Sequence, residues 1–452
     1  MSFPFRQALV PLLMLLGLVA QPATADSRVA EYMIYQYPGV ALVVIVDTRE
    51  AEFTAKVTDS EGALLTEAGV EGRRIGPVWL YVDSTDRPRQ LMVHVQPARA
   101  VDRADIGMEL MQLSTADANA RRQAQAYRLL AHGMQRVYAD DTATWAQRGQ
   151  SLRNAARSFA ALGMERMRLW ADFYAAHLAL HRLDDVATCL EMTAVIDRAA
   201  RRAGFEDIAL VSHVLSTEAL LRGADRTTGS RSNDYFRRAH AELQALAEYA
   251  GGLGYPGEQG LALYRDGAAW EQQGDLVRAV ERYEEALAIA ARTPDTELLN
   301  RIRATAAAAY EAQGSTSGAI GLLEDIAGDL SSEASADADR ARTLYEKGRL
   351  LNRSFRHAEA ASTLTQALRL QQDDPTVTQW GRTGLELGHA LYALGDLPAT
   401  RRVLLESLPG AAVAKSLVRA AAVGALAHIA RREGRFDELS RDREQPAAQP
   451  GW

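Results

Sequence analysis

The chain is 452 residues long, 47% hydrophobic and 24% charged, the composition of a folded protein with room for two or three domains. Its formal net charge of −7 gives no reason to expect nucleic acid as the principal partner, a role marked by a basic surplus, and none is expected. The single cysteine, Cys189, excludes an internal disulfide, so the fold must hold by packing alone.

Residues 1–25 read as a cleavable secretory signal. Arg6 supplies the positive charge, Ala8–Ala20 the apolar stretch, and Ala23-Thr24-Ala25 a small-x-small cleavage site before Asp26. The apolar run is shorter than the ~20 residues of a membrane-spanning helix. The expected product is periplasmic or secreted, with no stable membrane insertion after cleavage. With no cysteine directly behind the signal, no lipid anchor is expected.

Residues 26–114 read as a small antiparallel β-sandwich. Phe53, Ala55 and Val57 alternate with polar residues, as do Leu91, Val93 and Val95. Ala41–Val46 is continuously apolar and suits a central strand, and Ile106–Leu113 reads as a last strand. Pro38-Gly39, Asp59–Gly62, Gly76-Pro77 and Asp86–Pro88 supply the turns. Trp79 and Tyr81 suit either sandwich filling, their commoner use, or an aromatic face for carbohydrate or peptide. His94 reads as solvated or hydrogen-bonded.

Residues 115–440 read as a helical array, with 441–452 a disordered tail. Thr115 or Asp117 is placed to cap the first helix. A small residue then returns at a fixed period: Gly267, Ala307, Gly348 and Gly388 are spaced 40, 41 and 40 apart. Ala176 and Ser216 extend the series downward and Ala427 extends it upward. Such a period means stacked helical hairpins, none of which buries its apolar face alone. Gly223 to Gly274 is about eleven residues too long, and Ala224–Asp234 is the expected extra polar loop. Lys415 and Arg419 interrupt the apolar run Ala411–Ile429, which reads as a buried helix rather than a span.

The best copy, Leu263–Ala286, carries Gly267, Trp270, Gly274, Ala279, Tyr283 and Ala286. The third gives Gly348, Leu351, Phe355, Ala360, Leu364 and Ala367. This order of small, aromatic, glycine, alanine, aromatic and alanine resembles the tetratricopeptide repeat (TPR) family, although the period here exceeds the family's usual 34. The resemblance covers roughly Ala160–Leu439 and implies a mainly α fold: a right-handed superhelix of hairpins behind the small β-sandwich. The order of signal, sandwich and repeats resembles the front half of exported bacterial CHAT-domain proteins. Their caspase-like peptidase domain has no counterpart here.

No catalytic constellation stands out. Cys189 sits in a helical stretch without the context of a nucleophile. His132-Gly133 echoes a protease pair by chance. His177 and His181 share a helix face at metal-binding spacing, but no third ligand accompanies them. No cofactor and no metal are expected. The family resemblance implies instead a concave groove lined by set positions of each first helix. These are Arg342, Tyr345, Arg349, Asn352 and Arg353 in one repeat, and Arg382, Leu385, His389, Tyr392 and Ala393 in the next. Arg301 and Glu311 precede them, and His428, Arg431 and Arg432 follow. Arginine forks and tyrosine rings suit an acidic or C-terminal peptide segment.

The expectation is a non-enzymatic, exported scaffold or adaptor that binds a protein or peptide in this groove. The alternative is a regulatory or substrate-recruiting subunit of a separately encoded caspase-like peptidase. Partner identity, oligomeric state and the role of the β-domain, binding or capping, stay open.

Overall fold

The computed structural model describes residues 19–20, 29–48, 53–69, 76–97, 106–134, 142–332, 337–372, 380–413 and 416–432. Packing divides the chain into two compact units, Met1–Glu258 and Gln259–Trp452.

The first unit opens with β1 (Val19–Ala20), β2 (Ala30–Gln36), β3 (Val40–Thr48), β4 (Phe53–Asp59), β5 (Leu64–Gly69), β6 (Val78–Val82), β7 (Arg89–Pro97) and β8 (Ile106–Ser114). They form two antiparallel sheets, β1-β2-β7-β4-β5 and β6-β3-β8. The alternation in β4 and β7 turns Phe53, Ala55, Val57, Leu91, Val93 and Val95 inward. They meet Leu42, Val44, Val46, Val78 and Leu80 in one core shared by both sheets. As its apolar run predicts, β3 is central, and Leu42, Val43 and Val44 are fully buried. The β4–β5 turn forms where expected, with Asp59 Oδ1 accepting from the N–H groups of Glu61 and Ala63. Val19 and Ala20, inside the segment read as a signal, pair with Met33 and Tyr32 of β2.

Six helices follow: α1 (Ala118–Met134), α2 (Thr142–Ala161), α3 (Glu165–His181), α4 (Val186–Ala203), α5 (Glu206–Asp225) and α6 (Gly229–Leu253). Of the two candidate caps for α1, Asp117 does the work: its Oδ2 accepts from Ala120 N–H at 2.6 Å. Thr115 is used elsewhere, donating from Oγ1 to Gly39 O at 2.8 Å. An aromatic cluster joins the sheets to the helices. The ring of Trp79 on β6 lies 5.5 Å from that of Trp170 and 6.0 Å from that of Tyr174, both on α3. Tyr174 Oη donates to Pro77 O at 2.6 Å. Trp79 is thus core filling, and the β-module covers α3.

The polar loop expected at Ala224–Asp234 is not a loop. Ala224 and Asp225 finish α5, and Gly229–Asp234 form the first turns of α6, which runs 25 residues. The extra length between repeats lies in a longer second helix. Polarity there marks exposed helix faces, which a loop-based reading mistakes for a connection.

The second unit holds α7 (Pro256–Gln272, whose first turn straddles the boundary), α8 (Leu276–Ala290), α9 (Thr296–Ala312), α10 (Thr316–Asp329), α11 (Asp337–Arg353), α12 (His357–Gln372), α13 (Trp380–Ala393), α14 (Leu397–Val413) and α15 (Ser416–Arg432). The recurring small residue is explained by close helix approach. A Cβ added to Gly267 would lie 2.6 Å from the Tyr283 ring, one on Gly348 2.4 Å from Leu364 Cγ, and one on Gly388 2.7 Å from Leu404 Cδ2. Tyr283, Leu364 and Leu404 each stand sixteen positions after their glycine, on the second helix of the same hairpin. In these three repeats, therefore, a large side chain of the second helix lies against bare backbone of the first, while the repeat of Ala307 keeps the smallest side chain at the same place. The run Ala411–Ile429 is split between α14 and α15, and no helix among the described residues is long and apolar enough to cross a membrane. The expected tail at 441–452 lies outside the described residues.

Candidate functional site

The first helices α9, α11, α13 and α15 carry the residues singled out by repeat position, and polar contacts link them from helix to helix. Arg349 on α11 donates from Nη1 and Nη2 to the two carboxylate oxygens of Glu311 on α9, at 2.9 and 2.7 Å. Its Nε donates to Glu346 one turn back, at 2.9 Å. Arg353 also pairs with Glu311. Glu311 is held below the ordinary carboxylate range, first by the hydrogen bond from Arg349. The same bond raises the Arg349 guanidinium further above its usual value.

Asn352, buried, donates to Glu386 on α13, to the backbone O at 2.9 Å and to Oε2 at 3.0 Å. Its Oδ1 lies 3.3 Å from His357 Nδ1, and the His357 ring lies 5.7 Å from that of His389. On α13, Tyr392 Oη meets His428 Nε2 at 3.0 Å and accepts from Arg432 Nη1 at 2.9 Å, both on α15. Tyr345 is half-buried, and burial, followed by the nearby Glu386 and Glu346, raises its phenol above the ordinary range. Arg342 is spent locally, paired with Asp339 at 2.9 Å. Arg382 and Arg431 are exposed, and neither pairs with a carboxylate among the described residues.

Four first helices, α9, α11, α13 and α15, thus share a linked polar face. Position in the repeat finds its arginines and aromatics but misses Glu346 and Glu386. Both stand two residues before their repeat's glycine, so the same forty-residue spacing carries a signal for them.

No family model matches the chain, and no curated protein sequence matches it. Solved structures of helical-repeat proteins do. One holds the nearly identical TPR-like repeats of a kinesin light chain from Podosopora anserina, 19% identical over 46% of this chain and 97% of that one, with a TM-score of 0.35. A second is a signal-transduction ATPase with a tetratricopeptide repeat sensor from Pyrococcus horikoshii, 12% identical over 73% of this chain and 50% of that one, TM-score 0.42. A third is the apo form of RapI, 8% identical over 72% of this chain and 85% of that one, TM-score 0.44. The period and the glycine contacts, rather than these alignments, decide the architecture. It is a TPR-like array of helical hairpins behind two small antiparallel sheets.

The remaining candidates resolve as follows. Cys189 on α4 is fully buried, and burial pushes its thiol up to about 12. The rings of His177 and His181 lie 4.2 Å apart, tilted by 36°, and His181 Nε2 lies 3.6 Å from Glu218. Among the described residues no group of three or more side chains is arranged to hold a metal ion. His132 sits on the exposed side of α1, 3.1 Å from Ser151 Oγ, and Gly133 is needed where Leu152 crosses. His94 is hydrogen-bonded on both nitrogens, to Glu31 at 3.0 Å and Thr58 at 3.1 Å.

Proposed function

We propose that the protein is a non-catalytic scaffold, exported to the periplasm or secreted, that binds a peptide or protein segment along the face formed by α9, α11, α13 and α15. The observation that carries this reading is the division of labour among its arginines. Arg349 is committed to Glu311 and Glu346 and braces the face. Arg353, Arg382 and Arg431 stand exposed on the same helices. Exposed guanidinium groups held on a rigid polar face offer forked donors to carboxylates, while Tyr345 and Tyr392 add apolar contact with a polar tip. An acidic or C-terminal peptide segment matches that chemistry. A catalytic reading finds less support, because a thiol buried as Cys189 is gives little thiolate near neutral pH.

Affinity capture from a native envelope extract, with the wild-type chain and an Arg353→Glu/Arg382→Glu/Arg431→Glu variant as baits, tests the site. A partner retained by the wild type and released by the variant supports it. Equal capture by both moves binding to another surface. N-terminal sequencing of the protein recovered from cells tests export: a start at Asp26 supports it, and a retained Met1 removes it.

A further inference from the structure

An open sheet ends in two outer strands, and each offers a row of unpaired N–H and C=O groups to any further strand. In the five-stranded sheet one of these sides is defended. The pairing of β5 with β4 shifts register between Val57 and Thr58, and β5 carries Glu67 and ends on Gly69. The other side is not. β2 pairs with β7 through seven consecutive positions, from Ala30 opposite Val95 to Gln36 opposite Arg89, without a shift. Ala30–Gln36 holds no proline, lysine or arginine. Its one charge does not guard the edge, because the Glu31 carboxylate turns to His94 Nδ1 on β7, at 3.0 Å.

The strand is also fixed in place. Gln36 is buried, donates from Nε2 to Val40 O at 2.7 Å and Asp83 O at 2.8 Å, and accepts from Arg89 Nε at 2.8 Å. Ala30 and Ile34 are buried in the shared core, while Tyr35 on the opposite face is 51% exposed. The free side of β2 already takes an antiparallel strand: Val19 and Ala20 of β1 sit opposite Met33 and Tyr32. β1 lies within residues 1–25, so cleavage before Asp26 removes it and leaves β2 as the outer strand.

We propose that in the mature chain the β2 strand of a second copy takes the place of β1, giving a symmetric dimer with one continuous sheet of β5, β4, β7 and β2 from each molecule. The occupant is a second copy because β2 is complementary to itself. Opposite residues of an antiparallel pair point to the same face, so the two-fold axis passes through a residue of the strand rather than between two. Only Met33 as the centre pairs all seven residues of β2. That register sets Met33 against Met33, Glu31 against Tyr35, Tyr32 against Ile34 and Ala30 against Gln36. Like charges never meet, and the core-facing row of one sheet runs on into the other. The proposal rests on the reading of the chain as exported and cleaved.

Sedimentation velocity of the mature chain recovered from cells, run over a range of concentrations, tests the pairing. The expected result is a reversible dimer in which the amides of Glu31–Gln36 exchange more slowly than after dilution to monomer. Tyr35→Glu places a carboxylate opposite Glu31 twice over, by symmetry, and should weaken the dimer about tenfold. Tyr35→Lys places a cation there instead and should leave the dimer at least as tight as that of the wild type. A mature chain that stays monomeric, or a dimer that Tyr35→Glu leaves unchanged, overturns the self-pairing and leaves export standing. Equal weakening by both substitutions overturns it too, because the register requires opposite responses to opposite charges. Amides of β2 that exchange alike in dimer and monomer put the interface elsewhere and overturn it independently of any variant. A chain recovered with Met1 removes the export reading and, with it, the uncovering of β2.

Discussion

Arg349 grips Glu311 with both prongs of its guanidinium, at 2.9 and 2.7 Å, across 38 residues of sequence. The pair ties α9 to α11, and its strength depends on the carboxylate staying ionised. Glu311 titrates below the ordinary carboxylate range in the folded chain. A depressed folded value contributes stability that is present above the unfolded pKa of about 4.3 and is lost as pH falls through the folded value. Glu311→Gln should therefore cost about 1 kcal/mol near neutral pH, and that gap should close as both proteins are taken below about pH 4. Thermal unfolding of both proteins across this range measures it. A gap that persists unchanged in acid would mean that packing, and not charge, couples the two helices.

The close approach of each hairpin predicts a contrast between two glycines. At Gly267 an added Cβ meets the Tyr283 ring at 2.6 Å and Ala279 O at 3.0 Å. Tyr283 is fully buried, and its hydroxyl is fixed by a 2.7 Å bond to Glu271, so the ring cannot swing aside. Gly267→Ala should destabilise by about 2 kcal/mol. At Gly424 on α15 nothing lies within 4 Å. Gly424→Ala should stabilise by about 0.5–1 kcal/mol through helix propensity. Denaturant unfolding of the two variants gives opposite signs if backbone contact is what the period encodes.

The junction between sheets and helices depends on Trp170, which is fully buried between Trp79 and Phe173. Trp170→Ala should cost about 3–5 kcal/mol, and Tyr174→Phe about 1 kcal/mol for the lost bond to Pro77. Limited proteolysis reads out the location: cleavage should appear first between β8 and α2 if the cluster seats the β-module. A uniform loss of protection along the whole chain would contradict that.

The architecture was legible because its two signals are local. Alternation in β4 and β7 and the forty-residue return of a small residue both report what each segment must bury. The sequence even placed Arg349, Asn352, Tyr392 and His428 on helices that meet. What it hid is relational. A period states where Arg349 sits within its hairpin, but not that Glu311 of the preceding hairpin turns both oxygens towards it. Nor does a period reveal that Phe355 keeps the left-handed backbone of a glycine, because the sequence there shows only an interrupted motif. The long α6 was misread for a third reason: Thr, Ser, Asn, Asp and Gly serve both loops and exposed helix starts, and only packing separates the two uses.

Charge reversal within the polar face should separate its framework from its contact surface. Arg349 has a side chain 26% exposed and two carboxylate partners. Arg349→Glu would set a third carboxylate between Glu311 and Glu346 and remove the cation that neutralises them. That should cost about 2–4 kcal/mol, because the new carboxylate is partly desolvated and repelled by both neighbours, and Glu346 loses its cation while Glu311 keeps only Arg353. Arg353 is 62% exposed, and Glu311 keeps Arg349 when it is replaced. Arg353→Glu should cost no more than about 1 kcal/mol. Melting curves of the two variants measured side by side test this ranking. If Arg353→Glu unfolds as readily as Arg349→Glu, both arginines belong to the framework, and a loss of partner binding in either variant would report misfolding rather than a missing contact.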